Sequence, residues 1–345
     1  MKRLFTLITV LLPAITSFSQ SKQYRNLILE GGGVKGFAYT GAFEVLDSLQ
    51  ILKAVERVGG TSAGAIQATL LATGYTPVEM ARVAANVPLK RFNDGGWTLW
   101  GGIKRIRHKF GWYKGEKITE WIEQLIAAKT GNGNITFAEL HNQRNEKGYK
   151  DLYITGTDLT WQCLRVFSYE NYPDMRIKDA VRISLSIPLY YEAVLMDDRG
   201  KIYSKPDDST RLHVMVDGGV LSNYPLFLFD SSKYISNDAV EINRSKENPE
   251  TLGLLLEMPG QIEYNKKQAG NYPFTINTVH DYFRALYHTL IDKANPDGNG
   301  YYRLHRTIAI DNMNLPGRVR RLPPKTINAL LENGRRGVRS FFMYL

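Results

Sequence analysis

LILEGGGVKG, residues 27–36, sets the terms of the fold. Asn26–Glu30 (NLILE) is a short apolar run of strand length, and three glycines stop it. Beyond them, Gly36–Leu52 carries Phe37, Ala42, Val45, Leu46 and Leu49 at helical spacing. A strand that enters a helix through a glycine turn opens a layered α/β unit. The pattern then repeats. Val55–Val58 is a second strand, GTSAG (residues 60–64) a second tight turn, and Ala63–Thr73 a compact helix of small and apolar residues.

Downstream, Thr76-Pro77-Val78-Glu79 is a capping box with proline at the first helical position. Gly115–Lys129 is an amphipathic helix, and Asp179–Ser186 a helix that stops before Pro188. Leu152–Thr157, Val214–Val216 and Leu252–Leu256 are further apolar strands. The alternation predicts an α/β fold with a central, mostly parallel sheet and helices on both faces. The polar stretch Asp197–Arg211 reads as an inserted hairpin or loop. From Gln261 the chain is mostly helical and more basic, and is expected to pack on the same domain.

The 345 residues, 43% hydrophobic and 23% charged, have the composition of an ordinary globular protein. Met1-Lys2-Arg3, the apolar run Leu4–Ile15 and the small residues Ser17 and Ser19 read as a signal peptide of residues 1–19. The apolar run is shorter than the roughly 20 residues a membrane-spanning helix needs. The division expected is 1–19 signal, 20–260 main α/β domain, and 261–345 a helical part on that domain. Export to the periplasm, the outer membrane or the medium follows. Cys163 is the only cysteine, so neither an intrachain disulfide nor a lipid-modified cysteine at the processing site is available. The net charge of +10 on an exported chain favours anionic lipid or cell-surface polymer over nucleic acid.

Three glycine-rich stretches carry the chemistry. In GTSAG, Ser62 stands between a strand and a helix, with Gly60 and Gly64 two positions either side. That is the nucleophile-elbow pattern: a tight turn lifts the hydroxyl above the sheet. The pattern alone is weak, and Ser62 is equally a hydroxyl in a turn. In GGGVKG three readings compete. A Walker loop is not matched. Gly31, Gly33 and Gly36 satisfy a dinucleotide fingerprint, with Glu56 as its acidic partner. An oxyanion hole built from the amides of Gly32, Gly33 and Val34 is the third, favoured by the elbow two dozen residues later. Asp217-Gly218-Gly219, taken alone, is a common turn; its functional reading makes Asp217 the base for Ser62.

LILEGGGVKG, GTSAG and VDGGV, in that order and spacing, resemble the patatin-like phospholipase family in an exported, bacterial form. The resemblance implies a patatin-like three-layer fold and a Ser62–Asp217 dyad beside a glycine-loop oxyanion hole, with no cofactor and no metal. It spans about residues 25–260. Lys35 falls where the family has a basic residue in its glycine loop. Arg182, Ser184 and Ser186-Ile187-Pro188 resemble its helix-to-strand segment. Asn223-Tyr224-Pro225 resembles its N-x-P, and Asn134–Leu140 another recurrent stretch. Glu30 stands where the family often has aspartate, and the stretch between Pro188 and Asp217 is longer than usual.

In this dyad the aspartate takes the serine proton directly, where serine hydrolases ordinarily use histidine. An aspartate near its ordinary pKa is a poor base, so partial burial is required. His213 is close to Asp217 in sequence but reads as a strand-end histidine facing solvent. Asp197-Asp198 and Asp207-Asp208 read as solvating a polar loop. Trp97–Lys114 (WTLWGGIKRIRHKFGWYK) interleaves aromatics with cations, which suits either an anionic membrane interface or a core-covering segment. The substrate implied is an acyl ester of a phospholipid or other lipid. The alternatives are a nucleotide-binding protein using the glycine loop and a non-catalytic lipid- or surface-binding protein of the same fold.

Overall fold

The structure, a computed structural model, describes residues 23–95, 99–205, 211–236, 247–279, 304–317 and 321–343, with 281, 282, 285, 286 and 289 in addition. The signal stretch 1–19, Trp97 and residues 206–210 of the polar segment lie outside the described residues. The strands in chain order are β1 (Asn26–Leu29), β2 (Arg57–Gly60), β3 (Gly111–Tyr113), β4 (Asp151–Asp158), β5 (Cys163–Phe167) and β6 (Leu189–Tyr191). They continue as β7 (Val194–Met196), β8 (Ile202–Tyr203), β9 (His213–Asp217), β10 (Thr251–Glu257) and β11 (Thr307–Asp311).

Among the described residues, nine of these strands form one mixed sheet in the order β11-β10-β1-β2-β4-β9-β7-β8, with β5 also on β4. The run from β11 to β4 is parallel throughout. β1 carries apolar side chains on both faces, as a parallel strand covered on both sides requires. On β1 the alternation is explicit. Leu27 and Leu29 enter the main core with the helices Ala38–Ser48 and Ala63–Ala72, while Ile28 points the other way. There it meets Tyr153, Leu226, Phe229 and Tyr234, supplied largely by the 3₁₀ turns Leu226–Phe229 and Ser232–Tyr234.

The capping box at Thr76 forms as expected: its hydroxyl accepts the Glu79 N–H at 3.3 Å while the Glu79 carboxylate accepts the Thr76 N–H at 2.8 Å. The second strand lies two residues later than the apolar run suggests, at Arg57–Gly60 rather than Val55–Val58. Gly59 and Gly60 belong to it because side chains there would strike Ile28 and the Gly64 carbonyl. The polar insertion opens as a β7–β8 hairpin whose turn Asp197 holds, accepting the N–H groups of Arg199 and Lys201 at 2.9 Å each.

The C-terminal part ends in the helix Pro324–Met343, and it also contributes β11, an edge strand that extends the main sheet. That helix crosses Ala38–Ser48 at two glycines. A methyl group on Gly41 would overlap the Leu331 carbonyl, and one on Gly334 the Ala38 carbonyl. Backbones therefore touch, and no larger residue fits. Gly334→Leu is expected to lower stability by about 1–3 kcal/mol through overpacking. Urea denaturation followed by circular dichroism measures it, and an unchanged midpoint would contradict the packing.

Candidate active site

β4 brings the site together. Ile154 pairs with Gly60 of β2 and with Phe167 of β5, so β2 and β5 lie on opposite edges of β4. Gly156 pairs with Asp217 of β9 and with Arg165 of β5, so β9 also lies opposite β5. The ends of β2 and β9 thus meet head-on along one edge, two residues apart on β4. Thr155, between them, fixes the gap: its hydroxyl lies 2.6 Å from that of Thr61, which donates to the Ser222 carbonyl at 3.0 Å.

β2 ends in the elbow. Ser62 has φ +52° and ψ −120°, a backbone that serine rarely adopts, and the helix Ala63–Ala72 starts immediately after it. Gly64 is required because any side chain would enter the Leu29 and Glu30 carbonyls of the neighbouring chain. Gly36 approaches the Ala63 methyl group, which holds the glycine loop against the elbow. Both Ser62 and Asp217 are buried.

Asp217 has the surroundings a weakly acidic base needs. Burial pushes its carboxyl from 3.8 up to about 7, against the Gly219 N–H hydrogen bond (2.8 Å) and the influence of the Ser62 side chain, which favour the ionised form. Gly218 packs on Thr155, where a side chain would collide. The helix Ile177–Ser184 and the residues after it place both groups. Ser184 Oγ accepts the Ser62 N–H at 2.8 Å, and the Ser186 carbonyl accepts the Asp217 N–H at 2.9 Å. The Ser62 amide is therefore engaged. Arg182, buried beneath them, donates to the Ser186 hydroxyl, to the Lys114 carbonyl at 2.6 Å and to the Glu192 carbonyl at 2.9 Å.

The glycine loop lies beside this pair. Gly33–Phe37 forms a 3₁₀ turn, with Gly33 at φ +56° and against the Gly317 carbonyl, so a Cβ would fail there twice over. Among the described residues no backbone carbonyl accepts from the amides of Gly32, Gly33 and Val34, the first-turn donors of a helical segment. Lys35 lies along Gly32 and faces the Glu30 carboxyl. Asn223 ties the loop to the turn after Asp217. Its carbonyl accepts the Gly31 N–H at 3.0 Å, and its amide donates to the Gly31 carbonyl at 3.0 Å and to Glu30 at 2.9 Å. Glu30 reaches further and accepts the Leu256 N–H at 2.7 Å. Burial, with Glu257 nearby, pushes its carboxyl up to about 8 against the opposing pull of Lys35.

Three expectations are corrected. His213 does not face solvent: it is buried, with Nδ1 2.7 Å from Asp158 and Nε2 2.8 Å from Asp198. Alternation along β9 points it to the same side as Met215 and Asp217, beneath the hairpin turn. Asp198 thus holds His213, and Asp197 caps the turn, so neither merely solvates the loop. Glu56 cannot serve a dinucleotide. It sits before β2, at the end remote from the glycine loop, and both its oxygens accept from Arg25, at 2.6 and 2.8 Å. The elements the sequence did not single out, Thr61, Thr155 and Gly317, are single residues that become meaningful only through pairing distant in the chain.

The patatin-like phospholipase family pattern matches residues 27–230. The chain belongs to that family and, with it, to the lipid acyl hydrolases. It is 31% identical over 247 residues to an uncharacterized protein of Acanthamoeba polyphaga mimivirus, covering 70% of this chain and 73% of that one. It is 27% identical over 217 residues to a probable lipid hydrolase of Invertebrate iridescent virus 6, covering 61% of this chain and 65% of that protein. Its fold is similar to that of VipD from Legionella pneumophila, with a TM-score of 0.57 at 15% identity, over 93% of this chain and 67% of VipD.

The raised Asp217 pKa has a calculable consequence for folding. Below about 3.8 the carboxyl is protonated in both states and imposes no penalty; as pH rises to about 7 the unfolded chain ionises first, and stability is lost. Asp217→Asn is therefore expected to melt at a higher temperature than the parent at pH 8, with the gap closing towards pH 4. Scanning calorimetry at both pH values measures this, and a lower melting temperature at pH 8 would contradict it.

Proposed function

We propose that the protein hydrolyses acyl esters of lipids through Ser62 as nucleophile and Asp217 as its general base. The observation that carries this is the β4 register that brings the end of β2, before Ser62, and Asp217 to one strand edge, with the Asp217 carboxyl raised by burial to about 7 and, among the described residues, no backbone carbonyl engaging the amides of Gly32, Gly33 and Val34 beside them. As Ser62 Oγ attacks the ester carbonyl carbon, Asp217 takes its proton. The negative charge that develops on the carbonyl oxygen faces the amides of Gly32, Gly33 and Val34. One such donor contributes on the order of 3 kcal/mol in comparable sites.

Collapse of the tetrahedral intermediate breaks the ester bond. The proton on Asp217 passes to the departing alcohol, leaving the acyl group on Ser62. Asp217, ionised again, takes a proton from water as water attacks the acyl carbon; the bond between the acyl carbon and Ser62 Oγ then breaks, Asp217 returns the proton to Oγ, and the fatty acid leaves. A base with a pKa near 7 is ionised in about half the molecules at neutral pH, while still holding a proton well enough to return it. Export through residues 1–19 would place this activity outside the cytoplasm.

Incubation with a panel of phospholipids and lysophospholipids, followed by mass-resolved measurement of released fatty acid, tests the proposal. Ser62→Ala and Asp217→Asn are each expected to lower turnover by on the order of 10³-fold or more without unfolding. Near-normal turnover in either variant would end the dyad. For the parent, kcat/KM on a soluble short-chain ester is expected to fall as pH drops, with an inflection close to 7. A flat profile from pH 5 to 8 would mean that another group is the base.

A further inference from the structure

Phe110 and Leu189 hold left-handed backbone, φ +62° and +66°, although both are bulky apolar residues that this region disfavours. Neither is compensated by burial: they are 50% and 65% exposed. They are also neighbours in space. β3 and β6 pair as a separate two-stranded ribbon with Gly111 opposite Leu189, and Phe110 immediately precedes Gly111. Strain and exposure at two adjoining apolar positions mark a surface kept for contact.

The preceding helix, Leu99–Lys109, continues that surface. Trp100, Ile103, Arg107 and Phe110 recur at intervals of three, four and three, which places them on one face. Trp100 is 82% and Ile103 46% exposed. No acidic residue occurs from Leu99 to Phe110, whereas Lys104, Arg107 and Lys109 are all exposed. Lys109 pairs with Glu192 at 3.1 Å; among the described residues Lys104 and Arg107 make no ion pair. Apolar anchors interleaved with free cations complement a surface that is apolar below and anionic above. A second copy of the chain would bring the same cations against these and is disfavoured.

We propose that the β3–β6 ribbon and the helix Leu99–Lys109 dock on an anionic phospholipid bilayer, with Trp100, Ile103, Phe110 and Leu189 entering its interface. The ribbon is joined to the active site by short connections. Arg182 grips the chain just beyond each strand, at the Lys114 and Glu192 carbonyls, and also binds Ser186, whose carbonyl holds Asp217. Leu189 lies three residues after Ser186. Docking thus brings the bilayer beside Ser62, a consequence that rests on the hydrolase reading, whereas docking itself does not.

Vesicle cosedimentation of the full chain carrying Ser62→Ala separates binding from turnover. Vesicles rich in phosphatidylglycerol are expected to bind at least tenfold better than phosphatidylcholine vesicles, with added salt closing the gap. Adding Phe110→Asn and Leu189→Asn is expected to weaken binding tenfold or more without lowering the melting temperature, since asparagine tolerates this backbone. Lys104→Glu with Arg107→Glu is expected to abolish the preference for phosphatidylglycerol. In the chain with Ser62 intact, the two asparagine substitutions are expected to keep turnover of a soluble short-chain ester within twofold while reducing release from vesicles. Equal binding to both vesicle types, or unaltered binding of the asparagine variant, would overturn the proposal. So would a self-association that the asparagine substitutions abolish while vesicle binding persists. If binding behaves as expected but no ester is cleaved, the hydrolase reading fails and the docking surface stands.

Discussion

One edge of β4 is shared by two strands that run towards each other, and everything at the active site depends on it. β2 arrives in parallel and ends at Gly60; β9 arrives antiparallel and ends at Asp217. Hydrogen-bonded register along β4 fixes their separation to within the pleat of a single strand. Residues 155 positions apart in the sequence are thereby placed with little freedom, without any dedicated contact having to pull them together. The parallel run from β11 to β4 sets the direction of β2, and the antiparallel hairpins beyond β9 set the direction of Asp217.

The site stores conformational and electrostatic penalties that the surrounding fold absorbs. Ser62 occupies an unfavourable backbone region, and Asp217 carries a carboxyl that burial makes reluctant to ionise. Both are held by partners on the segment from Ser184 to Ser186, so this short stretch acts on nucleophile and base together. Opposite it, Asn223 joins the glycine loop to the turn after Asp217. Activity and stability therefore pull in opposite directions at Asp217: the ionised form that serves as base is the form that folding disfavours.

The parts of this arrangement that local sterics dictate were legible in the sequence. GGGVKG, GTSAG and DGG announce themselves because a tight turn beside a packed strand admits only glycine, and β1, the elbow helix and the Thr76 cap follow from local pattern. What depends on distant pairing was not legible. β3 and β6 meet across about 80 residues of chain and are three residues each, too short for any periodicity. β11 lies in a stretch whose local pattern is mostly helical, and a five-residue edge strand carries little signal of its own. The burial of His213 leaves no local signature because its two carboxylate partners, Asp158 and Asp198, come from separate hairpins. Motif and resemblance point to Ser62 and Asp217; the raised carboxyl of Asp217 is a property of burial, which no spacing in the sequence encodes.

A crystal structure of the protein inactivated by an alkyl fluorophosphonate tests the central claim most directly. The account expects phosphorus bonded to Ser62 Oγ, with a phosphoryl oxygen about 3 Å from the amides of the Gly32–Val34 turn and the Asp217 carboxyl still adjoining Ser62. An adduct on another residue, or a phosphoryl oxygen turned away from the glycine loop, would contradict it.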